Sequence, residues 1–179
     1  VNNDLQQLAH DAGSHFTFVD ADLSEVEGLE ALLKGILSSI DTKVETITLI
    51  NNAATVSPIK HIQACTQAEI SSSIQLNLAA PIMLTSSFVR ETADWMAKRT
   101  IVNISSGSGQ YPASSMSLYC STKAALNMFT KCVELEQAAE PNPVRMFTID
   151  PGMMDTGMQQ IARETDFELS TFFTHQKNA

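Results

Sequence analysis

Residues 101–123 read IVNISSGSGQYPASSMSLYCSTK. The run Thr100 to Ile104 is short and mostly apolar, as a strand buried in a sheet is. Ser105 to Ser117 is a polar, Gly-containing loop, and from Leu118 to about Ala139 apolar residues return at helical spacing. Tyr119 and Lys123 stand four apart on that helix and so share a face. An ammonium beside a phenol favours the phenolate, so the pair predicts a Tyr119 pKa lowered toward neutrality. Such a phenol can hand a proton to a carbonyl oxygen that is receiving hydride. A YxxxK pair alone is a weak signal and is more often carried by a solvated helix face. Ser106 changes that reading. It follows a strand directly, at the end where doubly wound sheets bind ligands, and is placed to hold a substrate carbonyl for Tyr119. Alone it would read as a loop hydroxyl satisfying backbone groups.

Outward from this stretch, strands and helices alternate. His15 to Ala21 reads as a buried strand, followed by a helix that Ser24 caps and that Leu29, Leu32, Leu33, Ile36, Leu37 and Ile40 face inward. Glu45 to Ile50 is a strand entering Asn51-Asn52-Ala53-Ala54. Thr66 with Glu69 predicts a capping box at the start of a long helical stretch reaching about residue 97. Pro81 predicts a kink or break within it. Val144 to Ile149 is a fourth strand, ending in Asp150-Pro151-Gly152, and Asp155 or Thr156 starts a last helix through Arg163. Short apolar strands separated by helices predict a doubly wound parallel α/β sheet with both faces buried, in a single domain spanning residues 1–179.

The bulk properties remove other classes. The 179 residues carry 11 basic and 20 acidic side chains, a net charge of −9. That balance disfavours nucleic acid as a partner, since phosphate neutralisation needs clustered Lys and Arg. No apolar run reaches the roughly 18 residues of a membrane span. Cys65, Cys120 and Cys132 read as reduced thiols of a cytoplasmic protein, and no Cys/His cluster has metal-site spacing. His10, His15, His61 and His175 are scattered and read as structural or solvent-exposed.

Several motifs together resemble the classical short-chain dehydrogenase/reductase family. Asn51-Asn52-Ala53-Ala54 is similar to its NNAG motif, with Ala54 in place of the usual Gly. Ile101 to Ser106, with Tyr119 and Lys123, resembles its catalytic segment, and Pro151-Gly152-Met153-Met154-Asp155-Thr156 its PGxxxT motif. Asn77 matches the Asn of its catalytic tetrad, and Asp22-Leu23 its adenine-contacting acidic position. Tyr119 to Ala125, Asp155 to Thr165, Leu49 to Ser57 and Ala80 to Thr85 resemble the branch of sepiapterin reductases and bacterial benzil reductases.

The resemblance implies a Rossmann-like, three-layer α/β/α fold. It also implies an NADP(H)-dependent oxidoreductase that reduces a vicinal diketone or pterin side chain. Tyr119 would be the general acid and Ser106 would orient the carbonyl. Lys123 would lower the Tyr119 pKa and bind the nicotinamide ribose, and Asn77 would anchor a water of the proton relay. Asp22, Leu23, Asn51, Ala53, Ala54, Pro151, Gly152, Met154 and Thr156 would join Tyr119 and Lys123 in holding the cofactor. Gly107, Met153 and Met158 would line the substrate side with Ser106 and Tyr119; the methionines read equally as core or lid packing. The family's TGxxxGxG loop, first βαβ unit and last strand have no counterpart among these residues, so the expectation is a domain incomplete at both ends. The positions that select NADP over NAD lie in that missing part, which leaves NAD(H) open. The family also implies a homodimer or homotetramer pairing through the helices near 66–97 and 118–139. The competing readings are an alcohol dehydrogenase working oxidatively and a non-catalytic cofactor-sensing or scaffold protein on the same fold.

Overall fold

The computed structural model describes residues 3–152. The elements are α1 (Asn3–Asp11), α2 (Leu29–Ser38), β1 (Thr46–Asn51), α3 (Gln67–Ile74), α4 (Ala80–Glu91), β2 (Lys98–Ile104), α5 (Ser117–Gln137) and β3 (Arg145–Ile149). The three strands form one parallel sheet in the order β1-β2-β3. Ile47 pairs with Arg99, Asn51 with Asn103, and Ile101 with Met146.

Register decides what each side chain meets. Residues paired across parallel strands point to the same face, and neighbours along a strand point to opposite faces. Ile47, Ile101 and Met146 therefore face one way. They meet Leu29, Leu33 and Leu37 of α2, Ala80, Leu84 and Phe88 of α4, and Val133 of α5. Each such Leu or Phe contributes about 2 kcal/mol through burial. On the opposite face Ile50, Val102 and Phe147 lie in register, and Ile50 is 59% and Phe147 48% exposed. The expectation of strands buried on both faces thus holds for one face among the described residues.

Three local expectations need correction. Residues 15–21 are not a strand, because no described strand lies alongside to form a ladder with them. Ser24 does not cap α2. Its backbone N–H and hydroxyl instead donate to the Asp22 carboxylate at 2.9 and 2.7 Å, and α2 begins later, after Gly28 in the left-handed conformation. Pro81 does not break the long helix. A proline clashes with the carbonyl four residues back, here that of Asn77, and lacks the N–H that would bond it. The chain passes this point through a widened π turn, Gln75–Ala79, between α3 and α4. The predicted Thr66–Glu69 capping box is present, and Lys60 adds an ion pair to Glu69 at 2.7 Å. That pair, with the Thr66 hydrogen bonds, holds the Glu69 carboxyl down at about 2.

Candidate active site

The carboxyl ends of β1, β2 and β3 deliver the predicted residues to one edge of the sheet. The β2–β3 pairing runs one residue past β2, where the Ser105 N–H donates to the Ile149 carbonyl at 2.7 Å. Ser106 follows in an extended conformation, and its Oγ accepts the Ser108 N–H at 3.2 Å. Residues 107–109 then make one 3₁₀ turn that lies directly on α5. A Cβ at Gly109 would stand 2.7 Å from Asn127 Nδ2 and 3.0 and 3.1 Å from the Lys123 backbone C and O. Only a residue without a side chain lets the Ser106 turn dock there.

Tyr119 lies in the first turn of α5 and is 7% exposed. Val56 and Ile59 from the loop after β1 pack with it, as does Met116. Lys123, one turn on, is 3% exposed. Its Nζ donates to the Ile104 carbonyl at 2.7 Å and lies 5.7 Å from the Tyr119 ring centroid. Burial lowers the Lys123 pKa to about 8. The predicted lowering of the Tyr119 pKa is not found in this structure. Burial pushes the phenol up, the Ser106 hydrogen bond draws it down, and the Asp150 and Cys120 charges push it up again. The spacing gave the neighbourhood of the two side chains, but the ammonium turns to a backbone carbonyl instead of to the phenol.

Asn77 sits in the π turn and is 1% exposed. Its amide pairs with the Thr55 backbone in both directions at 2.8 Å, and Nδ2 lies 3.4 Å from Thr122 Oγ1. One side chain thereby ties the exit of β1 to the long helix and to α5, beside Lys123. Asn51 donates to Asn103 at 2.8 Å, and Asn103 donates to Thr130 at 2.8 Å. Thr130 caps the series on the Leu126 carbonyl. This buried polar ladder joins β1, β2 and α5. Thr55, Thr122, Asn103 and Thr130 are hydrogen-bond partners of these residues to which the sequence reading gives no role of their own. Asn103 left one signal, a polar residue in the apolar run IVNI at the parity that faces the helices.

The other predicted positions divide. Leu23, Asn51 and Ala53 line one cavity of about 360 Å³, together with Leu33, Ile50 and Leu84. Asp22 is exposed beside it, its carboxyl held below the usual range by the Ser24 side chain and then the Ser24 N–H. Ala54 is partly buried just beyond β1. Pro151 and Gly152 are exposed after β3, with Gly152 in the left-handed conformation. Gly107 faces Asp150, whose Oδ2 lies 3.3 Å from where a Cβ at residue 107 would stand. Met153, Met154, Thr156 and Met158, with the last predicted helix, lie outside the described residues.

The donor set fits the ribose end of a nicotinamide cofactor. Ile104 supplies the one acceptor given to the Lys123 ammonium among the described residues, so two of its three N–H donors are available to hydroxyl ligands. No described group of three His, Cys, Asp or Glu is placed to hold a metal, and no described helix is long and apolar enough to cross a membrane.

Comparison with known proteins agrees with this arrangement. The family model for short chain dehydrogenases matches residues 1–166. A benzil reductase ((S)-benzoin forming) of Bacillus cereus is 41% identical over 165 residues, covering 92% of this chain and 66% of the relative. The sepiapterin reductase of Bos taurus is 34% identical over 174 residues, covering 92% of this chain and 63% of the relative. The chain thus spans just under two thirds of the length of these curated relatives. The crystal structure of a short-chain dehydrogenase/reductase from Burkholderia vietnamiensis superimposes with a TM-score of 0.71 at 29% identity, covering 91% of this chain and 76% of that one. On its motifs, its parallel α/β fold and these matches, the chain belongs to the short chain dehydrogenase family.

Proposed function

We propose that the full-length protein reduces a carbonyl of a small vicinal diketone, or of a related pterin side chain, to the alcohol, with NADP(H) as cofactor. The observation that carries this reading is the meeting of the Ser106 and Tyr119 side chains with the buried Lys123 ammonium at the carboxyl edge of the parallel sheet. The likeness to benzil reductase and sepiapterin reductase supports the substrate class, and NADP(H) is the cofactor that the resemblance to that branch implies.

When bound, the cofactor supplies the hydride. Ser106 Oγ donates a hydrogen bond that orients the substrate carbonyl, and Tyr119 Oη releases its proton to the carbonyl oxygen. A phenol held above its ordinary pKa stays protonated at neutral pH, which suits a proton donor. Lys123 Nζ binds the ribose hydroxyls with its free donors and keeps positive charge beside the phenolate that remains. Asn77 anchors the water that returns a proton from solvent through Lys123, and the widened turn around it loosens the regular main-chain pairing there. Asp22, Leu23, Asn51, Ala53, Ala54, Pro151, Gly152, Met154 and Thr156 hold the cofactor, and Gly107, Met153 and Met158 border the substrate.

The protein works as a homodimer or homotetramer. Ile74, Met83, Met128 and Leu135 are exposed apolar residues on α3, α4 and α5, and they support pairing through these helices. Three free thiols fit a cytoplasmic setting. The test is NADPH oxidation by the full-length protein with benzil, NADH as the control cofactor, and identification of the product. The expected result is a hydroxy ketone formed faster with NADPH than with NADH. Absence of turnover together with absence of binding of either cofactor contradicts the reading and returns attention to a non-catalytic role.

A further inference from the structure

Thr122 lies on α5 between Tyr119 and Lys123 and is 3% exposed. A threonine inside a helix can turn its hydroxyl back onto a carbonyl one turn earlier. Thr122 does so, its Oγ1 donating to the Tyr119 carbonyl at 2.9 Å. That spends the hydroxyl's one hydrogen and leaves the oxygen as an acceptor. It faces Asn77 Nδ2 at 3.4 Å. The orientation of the amide is fixed from its other side. The Thr55 N–H donates to Asn77 Oδ1 at 2.8 Å, which makes that atom the acceptor, and Nδ2 donates one hydrogen to the Thr55 carbonyl at 2.8 Å. The second hydrogen is left for Thr122. Donation therefore runs in one sense, from the Thr55 N–H through Asn77 and Thr122 to the Tyr119 carbonyl. Among the described residues no other side chain hydrogen-bonds the Asn77 amide.

We propose that Thr122 is a positioning residue of this site, whose hydroxyl ties the Asn77 turn to the part of α5 that carries Tyr119 and Lys123 and so holds the proton relay in register. The inference rests on Asn77 serving that relay. Asn77 and Thr122 come to this point from stretches of chain 45 residues apart. Helical geometry sets Tyr119 against Lys123, but it sets neither against Asn77. The Thr55 bonds fix the amide to the exit of β1, and the Thr122 hydroxyl is the hydrogen bond that fixes it to α5. Loss of that hydroxyl leaves an Asn77 N–H buried without an acceptor, and the turn shifts to relieve it. Proton return then slows. The Lys123 ammonium is anchored separately on the Ile104 carbonyl, so its place toward the cofactor does not depend on this bond. The loss therefore falls on kcat and not on KM for NADPH.

The test is a double-mutant cycle in the full-length protein, with benzil and NADPH. Thr122→Val keeps the side-chain shape and removes the hydroxyl, and Thr122→Ala takes its place should that variant fold poorly. Thr122→Ser keeps the hydroxyl. The expected result is a kcat about 3- to 10-fold lower in Thr122→Val, the scale of one buried hydrogen bond. KM for NADPH stays at the parent value, and Thr122→Ser recovers kcat. In an Asn77→Ala background Thr122→Val should lower kcat no further, because a residue that acts through Asn77 has nothing left to act on. Asn77→Leu, closer in shape, replaces Asn77→Ala should that protein fold poorly. Parent kcat in Thr122→Val, failure of Thr122→Ser to recover it, or an equal further fall in the Asn77 background overturns the proposal. Parent kcat in the Asn77 variant itself overturns the relay reading instead. The tie is then read from denaturant unfolding, where the loss from Thr122→Val should vanish in the Asn77 background and an additive loss overturns the proposal.

Discussion

The two ends of β2 each hold a buried cation, and the fold treats them differently. At the amino end Arg99 is 4% exposed. Its guanidinium donates to the carbonyls of Val89 and Asn142 and to Thr92 Oγ1. Asn142 in turn donates to the Trp95 carbonyl. The last turn of α4 and the segment between α5 and β3 are thereby fastened to the strand. At the carboxyl end Lys123 is as deeply buried, yet among the described residues it has one acceptor, Ile104 O. Both side chains have their pKa lowered by burial. Arg99 bridges three acceptors on separate segments, although its Nε is buried without a hydrogen-bond partner among the described residues, whereas Lys123 meets one acceptor there. The amino end is thus cross-tied by Arg99, and the carboxyl end is where the proposed chemistry lies.

The largest expected effect that sharpens this contrast comes from Lys123→Met. It should lower turnover by about 100-fold or more, the scale of lost acid–base assistance. It should also stabilise the cofactor-free protein. Lys123 titrates near 8 when folded against 10.5 in its ordinary state, so the unfolded chain holds this proton more tightly. The burden on folding is present in full below pH 8 and is relieved as pH rises toward 10.5. A shift of that size corresponds to about 3 kcal/mol. Denaturant unfolding should therefore show a gain at pH 7 that fades above pH 8. A loss of stability at pH 7 would place Lys123 with Arg99 among the cross-ties.

Arg99→Met is the reciprocal experiment. It leaves the Val89 and Asn142 carbonyls buried without their donor and should cost about 2 kcal/mol of stability. The folded fraction should keep its kcat. A fall in kcat that outlasts the correction for unfolded protein would break the division between the two ends.

The same contrast separates what the amino-acid sequence makes legible from what it hides. Ser106, Tyr119 and Lys123 are readable because a strand end followed by a helix at fixed spacing places them by backbone geometry alone. β1 and β3 are readable from apolar runs, and the Thr66–Glu69 cap from residues that satisfy each other locally. Arg99 is not, since a lone Arg in a strand carries no mark of the carbonyls that converge on it from residues far along the chain. The direction of the Lys123 ammonium is hidden for a related reason. Spacing on a helix sets which side chains are neighbours, while the competing carbonyl of Ile104 is set by packing between α5 and β2. His15 to Ala21 has the composition of a strand, but a strand exists only beside a partner. Pro81 announces a disturbance, but neither its form as a π turn nor the pairing of Asn77 with Thr55 is marked in the sequence.

Gly109→Ala is the smaller test of the carboxyl end. Its Cβ would meet Asn127 Nδ2 at 2.7 Å and the Lys123 backbone at 3.0 Å, and the backbone atoms cannot yield cheaply. The variant should lose about 1–3 kcal/mol, as overpacking does. It should also show a several-fold lower kcat/KM, because the turn carrying Ser106 lifts from α5. Unchanged kinetics would mean that the seating of this turn does not set the position of Ser106.

The proton donor proposed at this end of the sheet is Tyr119. The most direct measurement of that role is the rate of benzil-dependent NADPH oxidation by the full-length protein and by Tyr119→Phe, with cofactor affinity and unfolding midpoint recorded for both. The account predicts a loss of about 100-fold or more, in line with removal of a general acid, while cofactor binding and folding are retained. A Tyr119→Phe protein that folds, binds NADPH and reduces benzil at the parent rate would contradict it.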